Sequence, residues 1–262
     1  MKPTKEKMKP TKEMSGGGYL YVPGVFQYSC GVAAVPGNEI ERVRFSEPVP
    51  MEEGFRRVAE VIQAAGQPLK SFCACELRSP APFDDAEFRS FNKTYVSTLE
   101  DWGLLEQGDN PVARSNVCPE LNGPTEPSFH SFAFARQSSS LTSKMSERRS
   151  FIVSGSAEVP EGTASYGGNA IAAGNTSAEG IRAKARWVLG EMERRMLLLG
   201  STWQDTTAVQ IYSVFDFHSF LAEEIVVRGA ARNGVTWHFN RPPLTGLDYE
   251  MDCRGISIER VI

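Results

Sequence analysis

Long apolar runs are missing from this 262-residue chain: no stretch of 18 apolar residues occurs, which excludes a membrane-spanning helix. A basic excess is missing too. With 28 Lys and Arg against 32 Asp and Glu the net charge is −4, and the chain lacks the basic stripe of a nucleic-acid-binding face. Histidine is scarce: His130, His218 and His238 are dispersed, without the spacing of metal ligands. The five cysteines (Cys30, Cys73, Cys75, Cys118, Cys253) are odd in number and scattered, so they suggest neither a disulfide framework nor a zinc site. Only Cys73 and Cys75 are close, as alternate residues of one strand, and buried thiols acting as small hydrophobes are expected. No metal and no cofactor is called for.

The first residues also lack an apolar segment, which argues against a signal peptide, and a cytoplasmic location is expected by default. Met1–Glu6 recurs as Met8–Glu13, and residues 1–18 read as a disordered tail.

What is present is an order of elements used twice. Tyr19–Val22 and Val25–Ala34 read as a hairpin turning at Pro23-Gly24, and Val35–Pro50 as a loop. Met51–Ala65 reads as a helix with Phe55, Val58, Ile62 and Ala65 on one face, stopped by Gly66. A strand (Phe72–Leu77), a helix (Asp84–Trp102, inner stripe Phe88, Phe91, Tyr95, Leu99) and two strands (Asn110–Pro119, Ser128–Ala135) follow.

The second half opens with the strand Phe151–Ser154. Its helix Ala178–Leu199 carries the stripe Ile181, Ala185, Val188, Met192, Met196 and Leu199, and ends at Gly200. Strand Thr206–Tyr212, helix Asp216–Gly229 and strands Thr236–Arg241 and Tyr249–Ile258 repeat the first-half order. In both halves the β run begins six residues after the glycine. The expected fold is α+β: two β-β-α-β-α-β-β repeats over residues 19–136 and 150–262, joined by a linker at 137–149, with helices on one face of mixed sheets.

Three first-half passages carry a family resemblance: Asp85–Tyr95, Pro111-Val112-Ala113-Arg114, and the strand after Gly123. In the second half they are Ile152–Gly155, Asp216-Phe217 and Gly246–Glu250. In this order the chain resembles a tandem form of the RidA/YjgF family of imine and enamine deaminases, whose fold is chorismate-mutase-like. The resemblance implies a homo-oligomer, with a trimer of two-domain chains favoured, and sites at contacts between halves or chains.

It also implies a carboxylate-binding Arg, which Arg114 matches, and a water-activating Glu on the next strand. Arg suits the first role because its planar fork meets a carboxylate with two parallel hydrogen bonds. Glu250, four residues beyond Gly246, matches the second, whereas the same spacing from Gly123 reaches Pro127, beside Glu126. The second-half counterpart of Arg114 falls near Val235, which leaves Arg241 as a substitute cation.

Each copy is thus incomplete, and two defective sites, one first-half site using Glu126, or one composite site stay open. Asn92 on the second helix matches a polar family position. Cys118 shares a strand face with Arg114 and Asn116 and is a candidate for substrate contact. His130 is a reserve general base.

The expected activity is hydrolytic deamination of a carboxylate-bearing enamine or imine, with release of ammonia and with an aminomuconate-type dicarboxylate as one candidate substrate. A small carboxylate is the expected ligand, and neither nucleic acid nor membrane is an expected partner. Two alternatives stand beside it: a chorismatase-like lyase or hydrolase of a cyclic carboxylate, and a non-catalytic carboxylate-binding oligomer.

Overall fold

A computed structural model describes residues 10–106, 108–138, 149–163 and 165–262. Along the chain run β1 (Lys12–Glu13), β2 (Tyr19–Val22), β3 (Gly31–Ala34), β4 (Asn38–Pro50), α1 (Met51–Ala64), β5 (Phe72–Arg78) and α2 (Asp85–Asp101). Then come β6 (Ala113–Pro119), β7 (Ser128–Gln137), β8 (Phe151–Ala157), α3 (Ala178–Leu198), β9 (Ala208–Tyr212), β10 (Thr236–His238), β11 (Asn240–Arg241), β12 (Glu250–Gly255) and β13 (Ile258–Val261). They form two mixed sheets, ordered β1-β2-β3-β8-β12-β9-β10 and β11-β6-β5-β7-β4-β13. The α+β expectation holds. No helix among the described residues is long and apolar enough to cross a membrane.

The helices form where the apolar spacing places them. α1 buries Phe55, Val58 and Ile62 and packs on β4 and β7, with Glu52 and Glu53 in its first turn, where the helix dipole favours acids. α2 starts at a capping box in which Asp84 accepts from the Ala86 and Glu87 backbone and Glu87 returns a bond to the Asp84 N–H. α3 is capped by Ser177, buries Ile181, Ala185, Val188, Met192 and Met196, and packs on β8 and β12. Gly66 and Gly200, at φ +70° and +71°, stop α1 and α3 in the left-handed conformation open to glycine.

The two sheet centres are paired alike. β5 runs parallel to β6 and antiparallel to β7, which pairs antiparallel with β4. Likewise β9 runs parallel to β10 and antiparallel to β12, which pairs antiparallel with β8. The halves also trade strands: β3 lies on β8, β11 on β6, and β13 on β4. Where β6 crosses β8, the Arg114 N–H donates to Ser154 Oγ and the Gly155 N–H to Ser115 Oγ.

Several expectations need correction. Residues 35–50 are mostly not loop: Asn38–Pro50 is the long strand β4, with Ile40, Val43 and Phe45 in the core. Its charges are buried because they are paired, Arg42 with Glu76 and Glu259, Glu41 with Arg136 and Arg260. Val25–Ser29 does not continue the hairpin, since the Ser29 N–H donates to the carbonyl of Val112, just before β6, and pairing with β2 resumes at Cys30. The helix expected over Asp216–Gly229 is a short 3₁₀ turn (His218–Phe220) followed by a π-helical turn (Leu221–Val226). The expected tail is shorter than 1–18, for Lys12 and Glu13 pair with β2 and Met14 is buried. Residues 1–9, and 139–148 of the expected linker, lie outside the described residues.

Candidate active site

Where β6 meets β8 and the start of β12, a cleft of about 490 Å³, counting its open mouth, is lined by Tyr28, Phe88, Arg114, Asn116, Glu161 and Glu250 among others. Arg114 is 3% exposed. Its guanidinium lies among four rings, at 5.4 Å from Tyr28, 5.9 Å from Phe88, 5.6 Å from Phe91 and 4.8 Å from Tyr95. The last three come from one face of α2, at spacings of three and four residues.

Ring faces stabilise a cation without satisfying its N–H groups. Arg114 Nη1 is buried with no acceptor among the described residues, and no described carboxylate ion-pairs with this side chain. A buried, unpaired guanidinium is costly unless a ligand completes it, and a carboxylate fits its fork.

Glu250 opens β12 and is 4% exposed, with no hydrogen bond to its carboxyl from the described residues. Burial, followed by the neighbouring Asp252 and Glu158 charges, pushes this carboxyl well above the ordinary range, with Arg195 and Arg114 pulling the other way. A carboxyl kept protonated in a cleft is a proton donor. Its place is built by a buried network: Glu158 accepts from the Asp248 and Tyr249 backbone N–H groups and from Lys184, which also meets Asp248.

The register shows which residues hold matching positions in the two sheet centres. Arg78 of β5 lies opposite Ser128, and Tyr212 of β9 lies opposite Glu250. The first-half counterpart of Glu250 is therefore Ser128, which is no acid. Cys75 lies opposite Arg114, and the parallel register of β9 with β10 puts Val235 in the matching place. Arg114, from the first half of the chain, and Glu250, from the second, line one cleft.

The other expected residues are placed elsewhere. Glu126 is exposed on the turn before β7 and is not among the residues lining the cleft. His130 faces the buried charged layer between the sheets, where burial and then Arg78 lower its pKa to about 3, so it holds no proton near neutrality. Cys118 is buried outside the lining, its thiol pushed up to about 12 by burial and by Glu250, and so is no nucleophile. Arg241 is committed to Glu120 through two hydrogen bonds of 2.6 and 2.9 Å. Asn92 lies on the α2 face between Phe88 and Tyr95, buried, with neither amide atom partnered among the described residues. Helical spacing puts it beside the rings over Arg114.

Sequence reasoning missed Arg195 and Glu161. Arg195, fully buried on α3, donates to the Ser154 and Gly155 carbonyls, to Ser156 Oγ and, at 2.6 Å, to Glu161 Oε1. It thereby fixes the β8 wall of the cleft. The signal was available: Arg195 is seven residues beyond Val188, on the apolar stripe, where a charge must be paired to be tolerated. Among the described residues no group of three or more His, Cys, Asp or Glu is placed to hold a metal ion.

Residues 11–260 match the family described as CnbZ, 2-aminomuconate deaminase. The 2-amino-5-chloromuconate deaminase of Comamonas testosteroni is 46% identical over 248 residues, spanning 95% of this chain and 97% of that protein. The crystal structure of a chorismatase, 11% identical, aligns with a TM-score of 0.54 over 95% of this chain and 80% of that one, a likeness of fold alone. The chain belongs to the CnbZ family of 2-aminomuconate deaminases.

Proposed function

We propose that this protein hydrolyses a 2-aminomuconate-class enamine to the 2-oxo dicarboxylate and ammonia. One observation carries the reading: an aromatic-walled Arg114 with an unused donor shares a cleft with the buried Glu250, whose carboxyl burial pushes well above the ordinary range. The relative's activity on an amino-chloromuconate is consistent with it, and the apolar corner of Phe88, Val159, Leu244 and Leu247 gives room for a halogen or methyl on the carbon chain.

The chemistry needs one acid that gives and takes a proton. Arg114 holds the carboxylate next to the carbon that bears nitrogen. Glu250 protonates a carbon of the conjugated enamine, and the electron pair shifts to leave an iminium. The resulting carboxylate takes a proton from water as the water oxygen bonds to the iminium carbon. The carbinolamine nitrogen is then protonated by Glu250, the C–N bond breaks and ammonia leaves. The hydroxyl proton returns to Glu250 as C=O forms. The sum is enamine plus water giving ketone plus ammonia.

The test is ammonia and oxo-acid formation from 2-aminomuconate by the wild type and by Glu250→Gln. Stoichiometric release lost in the variant supports the reading. Tight binding without turnover in the wild type would favour a carboxylate-binding protein.

Two further elements belong to the same proposal. The like-paired sheet centres support descent of the halves from one duplicated unit. Association of chains is proposed too, with the exposed Val226, Val227, Trp237 and Phe239 as apolar surface for it, and sedimentation as its test.

A further inference from the structure

We propose that Asn116 receives the second carboxylate of the substrate, and that Ser79 holds it in position to do so. This rests on the deaminase reading above. Alternate strand residues share a face, so Arg114 and Asn116 project together from β6, about 7 Å apart along the strand, and both line the cleft. Ser79, buried just past β5, donates from Oγ to Asn116 Oδ1 at 3.0 Å, while its N–H donates to the Val117 carbonyl. In this arrangement the amide presents its oxygen to the Ser79 hydroxyl and its NH₂ the other way, into the cleft lined by Asn116. Asn116 is 3% exposed, and Nδ2 has no acceptor among the described residues. Leaving such a donor buried and unpaired is costly, which points to a ligand atom as its missing partner.

The charges around the cleft narrow what that atom is. Arg195 is occupied by Glu161 and two backbone carbonyls, and Arg241 by Glu120. Arg114 is left with a free donor and can take one carboxylate. A muconate skeleton carries a second at its far end, and that group needs a donor that brings no further charge. Among the cleft-lining side chains, Asn116 is the neutral one with a buried, unpartnered N–H.

The experiment compares calorimetric binding of two unreactive six-carbon dienoates, cis,cis-muconate with two carboxylates and sorbate with one, alongside deamination of 2-aminomuconate. The wild type should bind muconate about tenfold more tightly than sorbate. In Asn116→Ala that preference should vanish while sorbate affinity stays within about twofold, and KM for 2-aminomuconate should rise about tenfold with kcat changed by less than about threefold. Ser79→Ala should shift the preference in the same direction by a smaller factor, and Asn116→Asp should weaken muconate more than sorbate. An unchanged preference in Asn116→Ala overturns the assignment. So does a fall in kcat with unchanged KM, which would put Asn116 at the reacting carbon. Selective muconate binding without ammonia release would defeat the deaminase reading and leave this assignment standing.

Discussion

Arg114 of β6 and Glu250 of β12 come from opposite halves of the chain and line one cleft, and neither half supplies the pair alone. Under the proposed function, activity depends on the crossing of β6 over β8, so a change in either half should silence the same site.

Arg114→Ala should lower kcat/KM on a carboxylate substrate by about 2–3 kcal/mol, some 30- to 150-fold, because a charge-assisted fork is lost. Arg114→Lys should recover little, since an ammonium neither forks onto a carboxylate nor stacks flat among four rings. Steady-state kinetics with circular dichroism as a fold control checks both. Wild-type kcat/KM in Arg114→Ala would dismiss the clamp.

Glu250→Gln should change the pH dependence of stability. A carboxyl raised in the folded state stabilises the protein below its unfolded pKa, and that contribution is lost as pH rises through the folded value. The glutamine cannot ionise. Its melting temperature relative to wild type should therefore climb as pH is raised from about 4.5 upward. A flat difference across that range would mean Glu250 is ionised throughout.

His130 and His238 work in the opposite direction. Burial, then Arg78, lowers them to about 3 and about 4, so the unfolded chain takes up protons first as pH falls. Stability should decline from about pH 6.5 toward pH 4. His130→Gln should soften that decline in urea titrations, and an identical slope would remove His130 from the account.

Arg195→Met should destabilise the fold by about 3–5 kcal/mol, because Glu161 and two buried carbonyls lose their donor. A chemical denaturation midpoint close to wild type would show that the β8 wall does not depend on it.

Gly54→Ala tests the first-half core. A Cβ there runs into the Phe129 ring, and overpacking of this kind costs about 1–3 kcal/mol. Equal stability would mean that α1 can lift from β7 freely.

Much of this was legible in the residues. The stripes of α1, α2 and α3 follow the helical period, and Arg114 and Glu250 stood out by context. β4 is not legible in the sequence because the adjacent charges Glu41 and Arg42 interrupt its apolar pattern, while the ion-pair partners that let them be buried lie far along the chain. Counting four residues from Gly123 reaches Pro127, with Glu126 beside it, but that turn is one residue longer than the one after Gly246, and the register puts Ser128 opposite Arg78. Arg241 is a spare cation in the sequence alone, but the pairing of β11 with β6 brings it beside Glu120. Such three-dimensional pairings have no local periodicity to betray them.

The most direct test of the composite site is ammonia release from 2-aminomuconate by wild type, Arg114→Ala and Glu250→Gln side by side. The account predicts release by the wild type and severe loss in both variants, through KM in the first and kcat in the second. Full activity in Glu250→Gln with loss in Arg114→Ala would contradict it, because the acid would then have to come from elsewhere.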